Sequence, residues 1–145
     1  MEIYTIGFAK KTAAQFFGAL KAAGITRLVD VRLNNSSQLA GFTKRDDLPY
    51  FLQQICDAEY VHESQLAPTQ EILDDFKKRK GSWEEYERRF LALMAERNIE
   101  ETLPRELFEE PAVLLCSEPT AEHCHRRLVA EYLESKWGDI EIIHL

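Results

Sequence analysis

Two thiols, two imidazoles, two carboxylates and two guanidiniums crowd one short stretch, Cys116-Ser117-Glu118-Pro119-Thr120-Ala121-Glu122-His123-Cys124-His125-Arg126-Arg127. Those groups suit thiol chemistry. A cysteine that faces a helix N-terminus or a guanidinium is held as thiolate, the nucleophilic form. Histidine and glutamate beside it can move protons near neutral pH. Cys116 is the sharpest candidate nucleophile or redox centre, with Glu118 and His125 as its proton-handling partners. Its plain alternative is a buried core cysteine, since free cysteine is among the most buried residues. Cys124 either packs on a helix face with Ala121, Leu128 and Tyr132 or serves as a resolving thiol. Cys116, Cys124, His125 and Glu118 have the ligand types that zinc takes. Seven residues between the cysteines is not the short knuckle spacing, so no metal ligand is assigned.

The apolar run Ala112-Val113-Leu114-Leu115 ends at Cys116. It lacks polar alternation, as a central strand covered on both faces does. A helix over Thr120 to Trp137 follows, stopped by Gly138, and Ile140 to Leu145 closes the sheet. At the other end, Glu2 to Phe8 reads as a strand, and Gly7 marks a turn or close backbone approach. Thr12 and Gln15 form a capping box for a helix that buries Ala13, Phe16, Phe17 and Leu20. Thr26 to Arg32 is the second strand, and this β-helix-β order signals a parallel crossover. A polar loop from Leu33 to Asp46 is long for such a connection and has the character of a lid or binding loop.

Further along, Asp47 can cap a helix that buries Leu48, Phe51, Leu52 and Ile55, and Tyr60-Val61-His62 is a short third strand. Thr69 to Lys80 is helical, its cationic end facing the negative pole of the dipole. Ser82 opens a helix with the apolar stripe Trp83, Tyr86, Phe90, Leu93 and Met94. Leu103 to Glu110 reads as a short turn of helix. Strands alternating with helices predict an α/β fold: a three-layer, Rossmann-like sandwich with a mainly parallel, about five-stranded sheet. Ligands of such sheets sit beyond the carboxyl ends of the strands where strand order reverses. Reversal between the first strand and the Cys116 strand would gather Gly7, Phe8, Asp30, Arg32, Cys116 and Glu118.

The chain has 145 residues, 45% of them hydrophobic, three cysteines and a net charge of −7. That length predicts one domain over 1–145 with a core that needs no disulfide framework. An acidic surface disfavours nucleic-acid backbones. No run is apolar enough to span a bilayer, and the N-terminus lacks the pattern of a secretory signal, so no membrane partner and a cytoplasmic location are expected. No Gly-rich dinucleotide or P-loop fingerprint occurs, and no cofactor is expected. A phosphatase or sulfurtransferase anion loop is also set aside: Pro119 has no N–H, glycine is absent after Cys116, and Arg126 lies ten positions on.

Thr5-Ile6-Gly7-Phe8, Val29-Asp30-Val31-Arg32, Tyr60-Val61-His62 and Leu115-Cys116-Ser117-Glu118 with Cys124-His125-Arg126 together resemble the uncharacterised family designated DUF488. The resemblance runs over nearly the whole chain, and the C-x-E…C-H-R element is its most specific part. Leu33-Asn34-Asn35 and Leu66-Ala67 depart from the family's usual residues at the rim of the expected pocket. The resemblance strengthens the claim of His125 and supports the site more than any reaction.

The reading is an enzyme acting on a small anionic, phosphate- or nucleotide-like substrate. Asp30 and Arg32, two apart on one strand, point to the same side. Arg32 and Arg126 would hold the anion, and Gly7, Phe8, Asp30 and His62 would complete its pocket. The alternative is a non-catalytic ligand- or metal-binding domain that uses the same pocket. No oligomeric state is assigned.

Overall fold

A computed structural model describes residues 1–35, 41–118 and 120–145. Five strands, β1 (Glu2–Gly7), β2 (Arg27–Asp30), β3 (Glu59–His62), β4 (Ala112–Cys116) and β5 (Glu141–His144), form one sheet in the order β3-β2-β4-β1-β5. Every pairing is parallel. The helices are α1 (Ala13–Ala22), α2 (Leu48–Phe51), α3 (Gln70–Lys77), α4 (Trp83–Glu96), α5 (Ile99–Thr102) and α6 (His125–Trp137). The expected three-layer α/β sandwich is the architecture found, and the sheet is wholly parallel.

Side chains alternate across a strand, so each strand feeds two cores. Ile6, Leu28, Val113 and Leu115 pack under α1 with Phe16, Phe17 and Leu20. Ile3, Val29, Leu114 and Cys116 pack on the other face against Phe90 and Met94 of α4 and Leu128 and Leu133 of α6. All five residues of β4 are buried, which explains why its sequence carries no polar alternation. β1 and β4 lie side by side, yet the helix after β1 covers one face and the helix after β4 the other. This is the reversal of winding at which a crevice opens beyond the strand ends.

Local chemistry sets most boundaries. Thr12 and Gln15 make the reciprocal capping box of α1, with bonds of 3.1 and 2.9 Å. Thr69 and Ser82 cap α3 and α4 with their hydroxyls. Gly24, at φ +70°, supplies the left-handed turn that ends the α1 segment.

Three segments differ from the sequence reading, and a fourth, the short helical turn expected over Leu103 to Glu110, is found. The last helix starts at His125 rather than Thr120, because a turn (Cys124 N–H to Ala121 O, 3.3 Å) leaves Cys124 extended at the N-cap. Asp47 makes no capping bond, and α2 passes into a π-helical turn over Leu52–Cys56. Leu103 to Glu110 holds a 3₁₀ turn, Arg105–Phe108, while α5 precedes it. The polar loop after β2 contains a 3₁₀ turn at Gly41–Thr43, and its residues 36–40, like Pro119, lie outside the described residues. No helix among the described residues is long and apolar enough to cross a membrane.

Candidate functional site

The carboxyl ends of β1, β2 and β4 meet loops that prolong the ladder. Phe8 N–H donates to Cys116 O and Ala9 N–H to Ser117 O, at 3.3 and 2.9 Å, so the chain beyond β1 tracks the chain beyond β4. This close approach requires Gly7. A Cβ there would run into the Glu118 carbonyl and sit 2.8 Å from Arg126 Nη1. Gly7→Ala is therefore expected to lower the unfolding free energy by about 2 kcal/mol, as overpacking against backbone does. Urea unfolding checks it, and a loss within error would mean that the 117–118 loop moves aside freely.

A pocket of about 240 Å³ opens above these ends. Cys116, Ser117, Glu118, Cys124 and His125 form one wall, Phe8, Arg32, Leu33 and Asn34 another, and Leu73, Phe76, Lys77, Trp83 and Tyr86 the apolar side. Trp83 stacks on Tyr86 and on exposed His123, which also lines the pocket, with centroids 4.9 and 5.0 Å apart. Sequence reasoning placed Trp83 and Tyr86 of α4 on an apolar stripe and gave Phe76 of α3 no role. The i, i+3 pair Trp83/Tyr86 was visible, but nothing local says that α4 overhangs the strand ends.

Cys116 and Cys124 are joined Sγ to Sγ, and both are buried at the pocket wall. Arg126 lies beneath them, wholly buried. Its Nε donates to Thr5 Oγ1 (3.2 Å) and its Nη1 to Cys116 Sγ (3.1 Å) and Glu118 O (2.7 Å). No carboxylate is among these partners, and burial pulls its pKa down to about 10 against the opposing pull of Glu118. Lys11 adds a second cation nearby: its Nζ donates to Gly7 O at 2.7 Å, and burial followed by repulsion from Arg126 lowers its pKa. The potential at Cys116 thus favours a negative sulfur.

His125 Nε2 lies 2.7 Å from Val31 O. A carbonyl only accepts, so Nε2 carries the hydrogen and Nδ1 keeps its lone pair. Burial drives the His125 pKa down to about 4, and the ring is neutral at neutral pH. In that form it can accept a hydrogen bond at Nδ1. Glu118 is engaged at the rim by Lys77, at 2.7 Å.

Asp30 and Arg32 belong to the α1 face, opposite Cys116. Asp30 takes Arg32 in a fork, Oδ1 to Nε and Oδ2 to Nη2, both 2.8 Å, and accepts from Tyr60 Oη at 2.6 Å. Arg32 also donates to Thr43 O at 2.7 Å and lies 5.4 Å from the Phe8 ring centroid. His62 is exposed, with Nε2 3.0 Å from Arg32 O. Of the residues singled out in the sequence, Phe8, Arg32, Cys116, Glu118 and His125 line the pocket. Gly7, Asp30, His62 and Arg126 support it from behind. The two guanidiniums do not form a joint clamp: one braces the lower wall, the other the sulfur.

Comparison with known proteins gives one match. A family model described as a domain of unknown function, DUF488, matches residues 12–133. No curated protein and no solved structure matches the chain.

Proposed function

The chain belongs to the DUF488 family, and on that premise we propose that it is an enzyme of thiol–disulfide chemistry, with Cys116 as reacting sulfur and Cys124 as its resolving partner. The observation that carries this reading is the buried guanidinium of Arg126 set 3.1 Å from Cys116 Sγ, with no carboxylate among the hydrogen-bond partners described for it. A buried cation without a directly bonded counter-charge is costly, and a Cys116 thiolate supplies one. Cys124 within bonding reach supplies the second half of a redox couple.

In the reduced enzyme the Cys116 thiolate attacks one sulfur of a small substrate disulfide. The substrate S–S bond breaks, and the leaving thiolate departs with the electron pair and takes a proton from solvent. Cys124 then loses its proton to solvent and attacks Cys116, releasing the other half of the substrate as a thiolate. Two electrons have passed from protein to substrate, and the Cys116–Cys124 bond is closed. A dithiol reductant reopens it. His125 Nδ1, with its lone pair left free by the Nε2–H bond to Val31 O, would accept a hydrogen bond from the released Cys124 thiol. The apolar side of the pocket takes the body of the substrate. An anionic end suits Lys77, whose exposed pair with Glu118 is worth no more than about 1 kcal/mol and yields to a better partner.

Alkylation tests the reading. Cys56 is the internal reference, a free thiol whose pKa burial raises. In reduced Cys124→Ser protein, iodoacetamide is expected to label Cys116 at least about tenfold faster than Cys56 below neutral pH, as followed by mass spectrometry. Labelling of Cys116 no faster than Cys56, or only on unfolding, overturns it.

A further inference from the structure

The geometry points to a second use of the same sulfurs: once reduced, Cys116, Cys124 and His125 form a three-ligand site for a thiophilic divalent cation such as zinc, with its fourth position open to the pocket. This assignment goes beyond the redox reading and does not depend on it, since it requires the two sulfurs to share an ion and not to react.

Three observations carry it. First, one donor atom from each residue lies within 4.8 Å of the others. Zinc holds sulfur at about 2.3 Å and nitrogen at about 2.0 Å, so donors sharing one ion sit within such a span. The Cα atoms of the two cysteines are 7.3 Å apart. Opening the S–S bond lets the sulfurs diverge around an ion while the backbone stays in place. Second, the imidazole is prepared for ligation. Its Nε2–H is fixed on Val31 O at 2.7 Å, which aims a lone pair from Nδ1. A ligating histidine characteristically donates its other ring N–H to a carbonyl or carboxylate in this way. Cys124, for its part, makes no capping bond to α6, so its sulfur has no competing duty at the helix end.

Third, all three residues line the pocket. Three protein ligands plus one outward position is the pattern of zinc sites that work on substrates, whereas structural sites are closed by a fourth side chain. Two thiolates and an imidazole select soft or borderline ions over magnesium or calcium. Binding is a simple exchange: two thiolate–metal bonds form, and whichever cysteine is still protonated gives its proton to solvent. The Cys116–Cys124 bond must first be opened by a phosphine or dithiol reductant, so oxidation and metal binding exclude each other.

The test uses cobalt(II) as a spectroscopic stand-in and zinc(II) as its competitor. Full-length protein is reduced with a phosphine under nitrogen, stripped with chelator and titrated with cobalt(II). The expected result is one cobalt per chain, with a sulfur-to-cobalt charge-transfer band that zinc abolishes and d–d bands that shift on adding azide. Cys116→Ser and Cys124→Ser lose the two-sulfur spectrum, His125→Gln weakens binding at least about tenfold, and Cys56→Ser binds as the parent does. The unmutated protein with its S–S bond closed serves as a comparison free of any folding defect, and it binds no cobalt. A reduced protein without a charge-transfer band overturns the site, as does equal affinity in the oxidised protein. Fast Cys116 alkylation with no cobalt band overturns the ion site alone. A cobalt band with sluggish Cys116 overturns the redox reading alone.

Discussion

Asp30→Asn lowers the unfolding free energy by about 3–5 kcal/mol, the cost of breaking a buried ion pair by removing one partner. Asp30 is fully buried and Arg32 is 5% exposed, so water cannot replace the lost carboxylate. Asparagine keeps the shape but removes the charge that balances the guanidinium. It also offers an amide where Arg32 Nε or Nη2, or Tyr60 Oη, now donates. Urea unfolding measures the loss. The control is Asp30→Asn combined with Arg32→Met, which removes the stranded charge and regains at least about 1 kcal/mol. A single-variant loss under about 1 kcal/mol, or no recovery in the double variant, would show that the pair does not brace the wall.

Arg126→Met has the opposite profile: a large loss of reactivity with little loss of stability. A hydrogen bond to a charged group contributes about 1.5–3 kcal/mol. One pKa unit corresponds to about 1.4 kcal/mol. Without the guanidinium the Cys116 thiolate loses stabilisation of that order. Where the parent thiol is still mostly protonated, alkylation slows by about 10- to 100-fold. The sign follows from which form the cation stabilises: Arg126 favours thiolate, so its loss shifts the rate profile toward alkaline pH. Stability holds because a buried cation costs several kcal/mol to desolvate, and its removal offsets the bonds lost at Thr5 Oγ1 and Glu118 O, worth about 1 kcal/mol each, with Cys116 reverting to the neutral thiol. The measurement is iodoacetamide labelling against pH in chelator-treated Cys124→Ser protein, with urea unfolding alongside. Unchanged labelling would remove Arg126 as the partner of the thiolate. A collapse of stability with labelling that simply tracks unfolding would make it a packing residue.

The frame of the molecule was legible because its signals are local. The all-buried run of β4, the capping box at Thr12 and the crossover order require only neighbours in sequence. The meeting of Cys116 with Cys124 was legible too, since a strand end and the helix after it are adjacent in any parallel sheet. What escaped depends on direction. Arg126 follows His125 on α6, and successive helical residues point about 100° apart. One therefore faces the pocket and the other dives under the sulfur, which spacing alone cannot reveal without the first helical residue. That residue was misplaced by five positions, because Thr120, Ala121 and Glu122 read as ordinary helix-starting types. The same limit applies to Arg32, where strand alternation gives the side shared with Asp30 but not which core that side faces. Trp83 and Tyr86 came to the pocket from a segment more than thirty residues away.

The sulfurs and the aromatics stand on foundations of unequal firmness. Cys116 ends the middle of the ladder, with β1 and β2 hydrogen-bonded on either flank, whereas α3 and α4 touch no strand through backbone bonds. Partial opening events start where backbone bonds to the rest of the fold are few. Amide hydrogens of β4 and β1 are then the last to exchange with deuterated solvent, and those of α3 exchange far earlier. For the proposed substrate, entry and exit are then expected to proceed by breathing of the aromatic side, over a floor that keeps its dimensions.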